Sequence, residues 1–101
     1  MIRHEVVYAP EAEADLLALY ERIAAVASAD VALAYMSRLM AWLDGFDVAA
    51  ERGTRRDDLR PGLRIVGFER RITVAFAVIG DRAVILRLFY GGQDWSRFFA
   101  T

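Results

Sequence analysis

Seven arginines crowd the second half of the chain: Arg55, Arg56, Arg60, Arg64, Arg70, Arg71 and Arg87, with Tyr90 close behind the last. An arginine carries a planar fork of donors and keeps its charge, so such a set suits carboxylate or phosphate groups. Arg64 and Arg87 stand among apolar neighbours in strand-like runs. An arginine on a half-buried strand must face solvent, pair with an acid or meet an acidic partner. The split of charge favours a working basic face. Residues 1–51 hold three arginines and nine acids, and residues 52–101 hold ten arginines and five acids, although the whole chain sums to −1.

Other chemistries lack their parts. There is no Cys, and His4 is the one His, so no metal cluster and no metal cofactor is expected. Ser28, Ser37 and Ser96 have no His–Asp partner set. Gly91-Gly92 follows a strand-like run, but no G-x-x-x-x-G-K-[ST] pattern exists, and the pair reads as a turn with positive φ. Asp57, Asp58 and Asp94 fall in loops, where a solvated or Arg-paired acid is the better reading than a hydrolytic or Mg²⁺ pair. Asp94, beside the glycines, suits a turn hydrogen bond.

These side chains need elements to position them. The 101 residues predict a single domain, residues 1–101, able to bury a core without a disulfide. No signal peptide and no membrane-length apolar run is read. Residues 3–8 predict a strand. Pro10 opens a helix that carries Glu11, Glu13 and Asp15 near its positive end and Leu16, Leu19, Tyr20 and Ile23 at helical spacing, running to about Val26. Ser28 or Asp30 caps a second amphipathic helix of about eighteen residues, with Val31, Ala34, Tyr35, Leu39, Leu43 and Phe46 on its apolar side. The short joint makes the two an antiparallel hairpin.

Residues 48–62 read as a polar loop. Strands follow at 63–67, 71–79 and 82–90, with turns at Gly67–Arg70 and Gly80-Asp81. Strict alternation puts Ile72, Val74, Phe76 and Val78 on one face of the middle strand. In the last strand it puts Val84, Leu86, Leu88 and Tyr90 on one face, and Ile85, Arg87 and Phe89 on the other. The order β-α-α-β-β-β predicts an α+β two-layer fold, with the hairpin on one face of a mostly antiparallel sheet and the other face open. Trp95, Phe98 and Phe99 then either cover that open face or one end of the helix layer, or form a partner surface. Arg87 and Arg64 are expected on the open basic face, where Arg87→Ala should leave stability nearly unchanged.

Four segments in this order resemble the RelE/ParE superfamily of toxins from bacterial type II toxin–antitoxin pairs: "PEAEADL" at 10–16, "RRDDLRPGLR" at 55–64, "RITVAFAV" at 71–78 and "VILRLFYGGQD" at 84–94. The last segment carries a Tyr, Tyr90, where many ParE-type chains have His, and Ala9 stands where a Ser or Thr often precedes the helix-opening Pro. The ParE-like branch implies a non-enzymatic inhibitor of DNA gyrase. It also implies a cognate antitoxin that neutralises the toxin, contact with DNA through that antitoxin, a cytoplasmic location and a role in plasmid stabilisation, with no cofactor, metal or membrane.

The RelE-like branch implies a ribosome-dependent mRNA endonuclease, in which Arg64, Arg87 and Tyr90 are the candidate catalytic residues. Attack by a 2′-OH benefits from a base, an acid and cations at the phosphorane. Arginine stays protonated and serves poorly as the base, so the set is incomplete and the ParE-like branch is the expectation. An inactivated toxin kept in a repressor complex is the third class. The residues expected to meet partners are Arg55, Arg56, Arg60, Arg64, Arg87, Trp95, Phe98 and Phe99.

Overall fold

The computed structural model describes residues 3–48, 50–91 and 94–99. β1 (Glu5–Tyr8) leads into α1 (Pro10–Val26), then α2 (Ala29–Asp44) and a short 3-10 turn (Gly45–Asp47). β2 (Thr54–Arg55), β3 (Leu63–Phe68), β4 (Ile72–Ile79) and β5 (Arg82–Tyr90) follow, and a second 3-10 turn spans Trp95–Phe98. The strands form one sheet in the order β1-β5-β4-β3-β2. β1 runs parallel to β5, and every other pair is antiparallel. This is the expected α+β fold with the expected β-α-α-β-β-β order, plus a two-residue strand in the polar loop.

Local chemistry explains the elements. Pro10 sits at the first turn of α1, while Ala9 offers no side-chain cap. Ser28 caps α2, its hydroxyl accepting from the Val31 N–H at 3.1 Å. Gly53 takes φ +75°, and a Cβ there would overlap the Ile65 carbonyl oxygen. Only glycine lets the chain pass that close to β3 and pair Thr54 with Ile65.

The main core lies between the hairpin and the sheet. Leu19 from α1, and Tyr35, Leu39, Leu43 and Phe46 from α2 and the turn after it, pack on Ile72, Val74, Phe76, Ile85 and Leu88. Phe46 meets Phe76 edge-on at 4.8 Å, and Trp42 lies 5.0 Å from Phe68. Each fully buried Leu or Phe contributes roughly 1.5–3 kcal/mol. A second, smaller core covers the opposite sheet face. Leu63, Ala75, Phe89 and Phe99 are buried there, with Leu59, Ile65, Leu86 and Trp95 against them. The aromatic segment 95–99 thus closes the face that the helices leave open.

One register detail redirects β5. Arg87 stands opposite Ala75 and Ile85 opposite Phe76, so Leu86 is an extra residue. This β-bulge sets Leu86 and Arg87 together against Ala75 and reverses the alternation. Ala83, Ile85, Leu88 and Tyr90 face the helices, and Leu86 and Phe89 face away. Strict alternation is therefore corrected at this point: Ile85 does not share a face with Phe89, nor Leu86 with Leu88. β4 has no extra residue, and Ile72, Val74, Phe76 and Val78 share the helix face as expected.

Candidate functional site

The bulge sits where β5 loses its neighbour. β1 ends at Tyr8, opposite Ile85, and the Ala9 N–H donates to the Ile85 carbonyl at 2.9 Å before α1 turns away. Past that point α1 lies beside the strand and supplies Asp15. Arg87 Nε donates to Asp15 Oδ2 at 2.8 Å and Nη2 to Oδ1 at 3.1 Å. The Leu88 N–H donates to Oδ2 at 2.9 Å. One carboxylate therefore takes a bidentate guanidinium and an otherwise open strand-edge amide. The two side chains keep only 27% and 17% of their exposure. The hydrogen bond that Arg87 donates to Asp15 raises the Arg87 pKa further, against the opposing effect of burial.

This corrects the expectation for Arg87. The residue lies outside the helix-packed core, but it is a half-buried ion-pair member rather than a free cation. Its guanidinium also lies over Phe98 at 4.8 Å and Phe89 at 5.2 Å. Asp15, which looked like an acid placed for the helix dipole, is its partner across 72 residues.

Arg64 is corrected too. It pairs with Phe76, and its neighbours Leu63 and Ile65 both belong to the opposite-face core. Arg64 therefore leans to the helix side, where Nη1 donates to the Arg52 carbonyl at 3.3 Å. Tyr90 also lies on the helix side, under the Arg22 guanidinium at 4.4 Å. Arg64, Arg87 and Tyr90 do not converge.

Most of the other expected partner residues do gather. Arg56 lies over Trp95 at 5.2 Å and forks to Asp58 through two 2.9 Å hydrogen bonds. Arg55 pairs with Asp57, whose Oδ1 also accepts from the Gly62 N–H at 2.9 Å. The Gly62 amide and then Arg55 hold the Asp57 carboxyl below its usual value, and Arg56 does the same for Asp58. Arg60 and Arg87 line a cavity of about 340 Å³ with Glu11, Leu86, Phe98 and Phe99. Phe98 stays 48% exposed beside it. Arg56, Arg60, Arg87, Trp95, Phe98 and Phe99 thus share the face away from the helices. The acids among them offset their charge.

A second groove, of about 360 Å³, opens on the other side of the Asp15–Arg87 pair. It is lined by Asp15, Ala18, Leu19 and Arg22 of α1 and by Ile72, Leu88, Phe89 and Tyr90 of the sheet. No spacing in the sequence marks this groove, because it exists only where α1 leaves the β5 edge. Among the described residues no group of three or more His, Asp or Glu is placed to hold a metal, and no helix is long and apolar enough to cross a membrane. Gly91 takes φ +69°, as expected for a turn, and Gly92 lies outside the described residues.

A helical hairpin packs on a five-stranded mixed sheet, with a cation–aromatic face and a groove at the last strand. The chain matches the family model described as the ParE toxin of the type II toxin–antitoxin system, parDE, over residues 6–95, and it belongs to that family. Among solved structures it resembles a chain of the chromosomal ParDE toxin–antitoxin system from P. aeruginosa. The two are 25% identical with a TM-score of 0.76, and the match covers 87% of this chain and 96% of that one. No curated protein matches the sequence.

Proposed function

We propose that this chain is the toxin of a type II pair, that it acts on DNA gyrase without cutting nucleic acid, and that an antitoxin encoded beside it neutralises it. In this reading it works in the cytoplasm and reaches operator DNA only through the antitoxin. One observation carries the choice against an mRNA endonuclease. The three residues that would serve a nuclease point to different places: Arg64 to the Arg52 carbonyl, Arg87 to Asp15 and Tyr90 to Arg22. In-line attack on a phosphate needs its cations and its proton carrier within about 3 Å of one reacting centre.

A non-enzymatic inhibitor needs a stable surface instead, and the Arg56–Trp95 and Arg87–Phe98 pairs provide one. The test is expression of the chain alone and together with the neighbouring reading frame. Growth arrest with filamentation and DNA damage, relieved by that neighbour, is expected. Arrest of translation with cleaved mRNA would transfer the chain to the nuclease class. Growth unaffected by the chain alone would favour an inactivated toxin kept for repression.

A further inference from the structure

The end of the sheet opposite the Gly80 turn carries a different set of arginines from those of the cation–aromatic face. β3 and β4 are joined by Glu69, Arg70 and Arg71, with Glu69 and Arg70 at φ +50° and +58° and the Arg71 N–H donating to the Phe68 carbonyl at 3.0 Å. Glycine or asparagine normally fills such a turn. Two long charged residues held there carry backbone strain. Glu69 is fixed by a fork from Arg38, Nε at 3.0 Å and Nη2 at 3.2 Å. Arg70 and Arg71 are exposed and form no ion pair among the described residues. The Gly91 N–H donates to the Arg71 carbonyl at 2.8 Å, which brings Arg71 beside Tyr90 and the Arg22 guanidinium over it.

Tyr35 of α2 adds an independent observation. It is 7% exposed, its ring meets Phe68 edge-on at 5.9 Å, and its hydroxyl is buried without a hydrogen-bond partner. A buried donor left unmet is costly, and such a group calls for an acceptor. The Arg38 guanidinium lies over the ring at 5.1 Å and is itself exposed, so part of the cover is a side chain able to swing aside. Burial pushes the Tyr35 hydroxyl pKa up, with Glu69 and Tyr90 adding to the rise and Arg71 and Arg38 opposing it. The hydroxyl thus stays a proton donor among cations.

We propose that Arg71, near the Tyr35 hydroxyl, together with Arg70 in the adjoining turn and Arg22 over Tyr90, forms a carboxylate-binding site for a protein partner whose apolar side chains fill the adjoining groove between α1 and β5. Four arginines against Glu69 make this end cationic, and Arg22 and Tyr90 belong both to it and to the groove. The groove's own wall includes Leu19, Ile72, Leu88 and Phe89 together with Asp15. That mainly apolar wall suits apolar side chains and gives a phosphate backbone few partners, so a segment with an acid following apolar residues fits better than nucleic acid. The proposal rests on the toxin–antitoxin reading for the identity of the partner but not for the anion site itself.

Two measurements separate those claims. The free chain is titrated with acetate at constant ionic strength, with the Tyr35 ring and the arginine Nε–H signals followed by NMR. Saturable shifts at Tyr35, Arg22 and Arg71 are expected, lost in Arg71→Gln and weakened in Tyr35→Phe, while Arg56 stays still. Small linear shifts spread over all arginines alike would overturn the site. The second measurement is affinity for the protein encoded by the neighbouring frame. A charge-assisted hydrogen bond is worth about tenfold or more in Kd, so both variants should bind about tenfold more weakly.

Tyr35→Phe removes only an unmet hydroxyl, so its thermal midpoint should equal or exceed that of the wild type. This keeps the binding loss distinct from misfolding. If the neighbour binds wild type and both variants equally, the site proposal fails and the toxin reading stands. If acetate saturates the site but the neighbour does not bind, the toxin reading loses its partner and the anion site stands.

Discussion

Removing Asp15 should destabilise the fold more than any other single carboxylate change, because three donors depend on it. Asp15→Ala leaves the Arg87 guanidinium without its fork and the Leu88 amide without an acceptor, in a place where Leu88 is 6% exposed. A fully buried pair broken on one side costs about 3–5 kcal/mol, and an exposed pair about 0–1. Side-chain exposures of 27% and 17% put this pair between those limits, nearer the buried one. The unmet amide adds about 1–3 kcal/mol, partly relieved by water entering the open edge. The expected loss is about 3 kcal/mol, which for a domain of this size lowers Tm by roughly 10–20 °C.

Asp15→Asn retains an acceptor for Leu88 and should lose about half as much. Arg87→Ala should cost about 2 kcal/mol rather than nothing. Urea unfolding of both single variants and the double variant gives the coupling, expected at about 1–2 kcal/mol. An Asp15→Ala variant within about 0.5 kcal/mol of wild type, the range of ordinary surface changes, would refute the reasoning.

Three further outcomes follow from the same geometry. Replacing Glu69-Arg70 by Asn-Gly should raise stability by about 1–2 kcal/mol of relieved backbone strain, since the Arg38–Glu69 pair it removes is exposed, while weakening partner binding. A loss of stability in that variant would show that the turn is unstrained. Phe99→Ala should cost about 2–3 kcal/mol and Phe98→Ala about 1, because Phe99 is buried on Phe89 and Phe98 is half exposed; equal costs in thermal melts would contradict this packing. Asp57, Asp58 and Glu69 all have lowered pKa values, from the Gly62 amide, Arg56 and Arg38 respectively. Their contribution is complete above the unfolded values of about 4 and is lost as pH falls through the lower folded values. Urea midpoints should therefore drop below about pH 4, and a rise there would contradict the assignment.

The parts legible in the sequence are those with unbroken periodicity. β4 alternates cleanly over eight residues, and its face is legible. α2 repeats at helical spacing behind a Ser cap, and Tyr35, Leu39 and Leu43 are buried as expected, but its first turn is corrected: Val31 and Ala34 are exposed and Ala32 is buried instead. The faces of β5 are not legible, because "RAVILRLFY" is mostly apolar on either phase. A bulge in such a strand leaves no local trace and is set by the register with β4. The setting of Arg87 depends on that register, and its partner Asp15 could not be found by spacing, since the pair is made by α1 crossing the β5 edge. β2 was too short to show a period and exists because Gly53 passes so close to β3. The Tyr35 site was hidden for a similar reason: a tyrosine at helical spacing reads as core, and only its unmet hydroxyl distinguishes it.

The most direct test of the toxin reading is a supercoiling reaction with purified gyrase, relaxed plasmid and the purified chain. The account predicts inhibited supercoiling and accumulated double-strand breaks, both suppressed by the protein of the neighbouring frame. Full gyrase activity at excess toxin, together with ribosome-dependent mRNA cleavage that Tyr90→Phe abolishes, would contradict it.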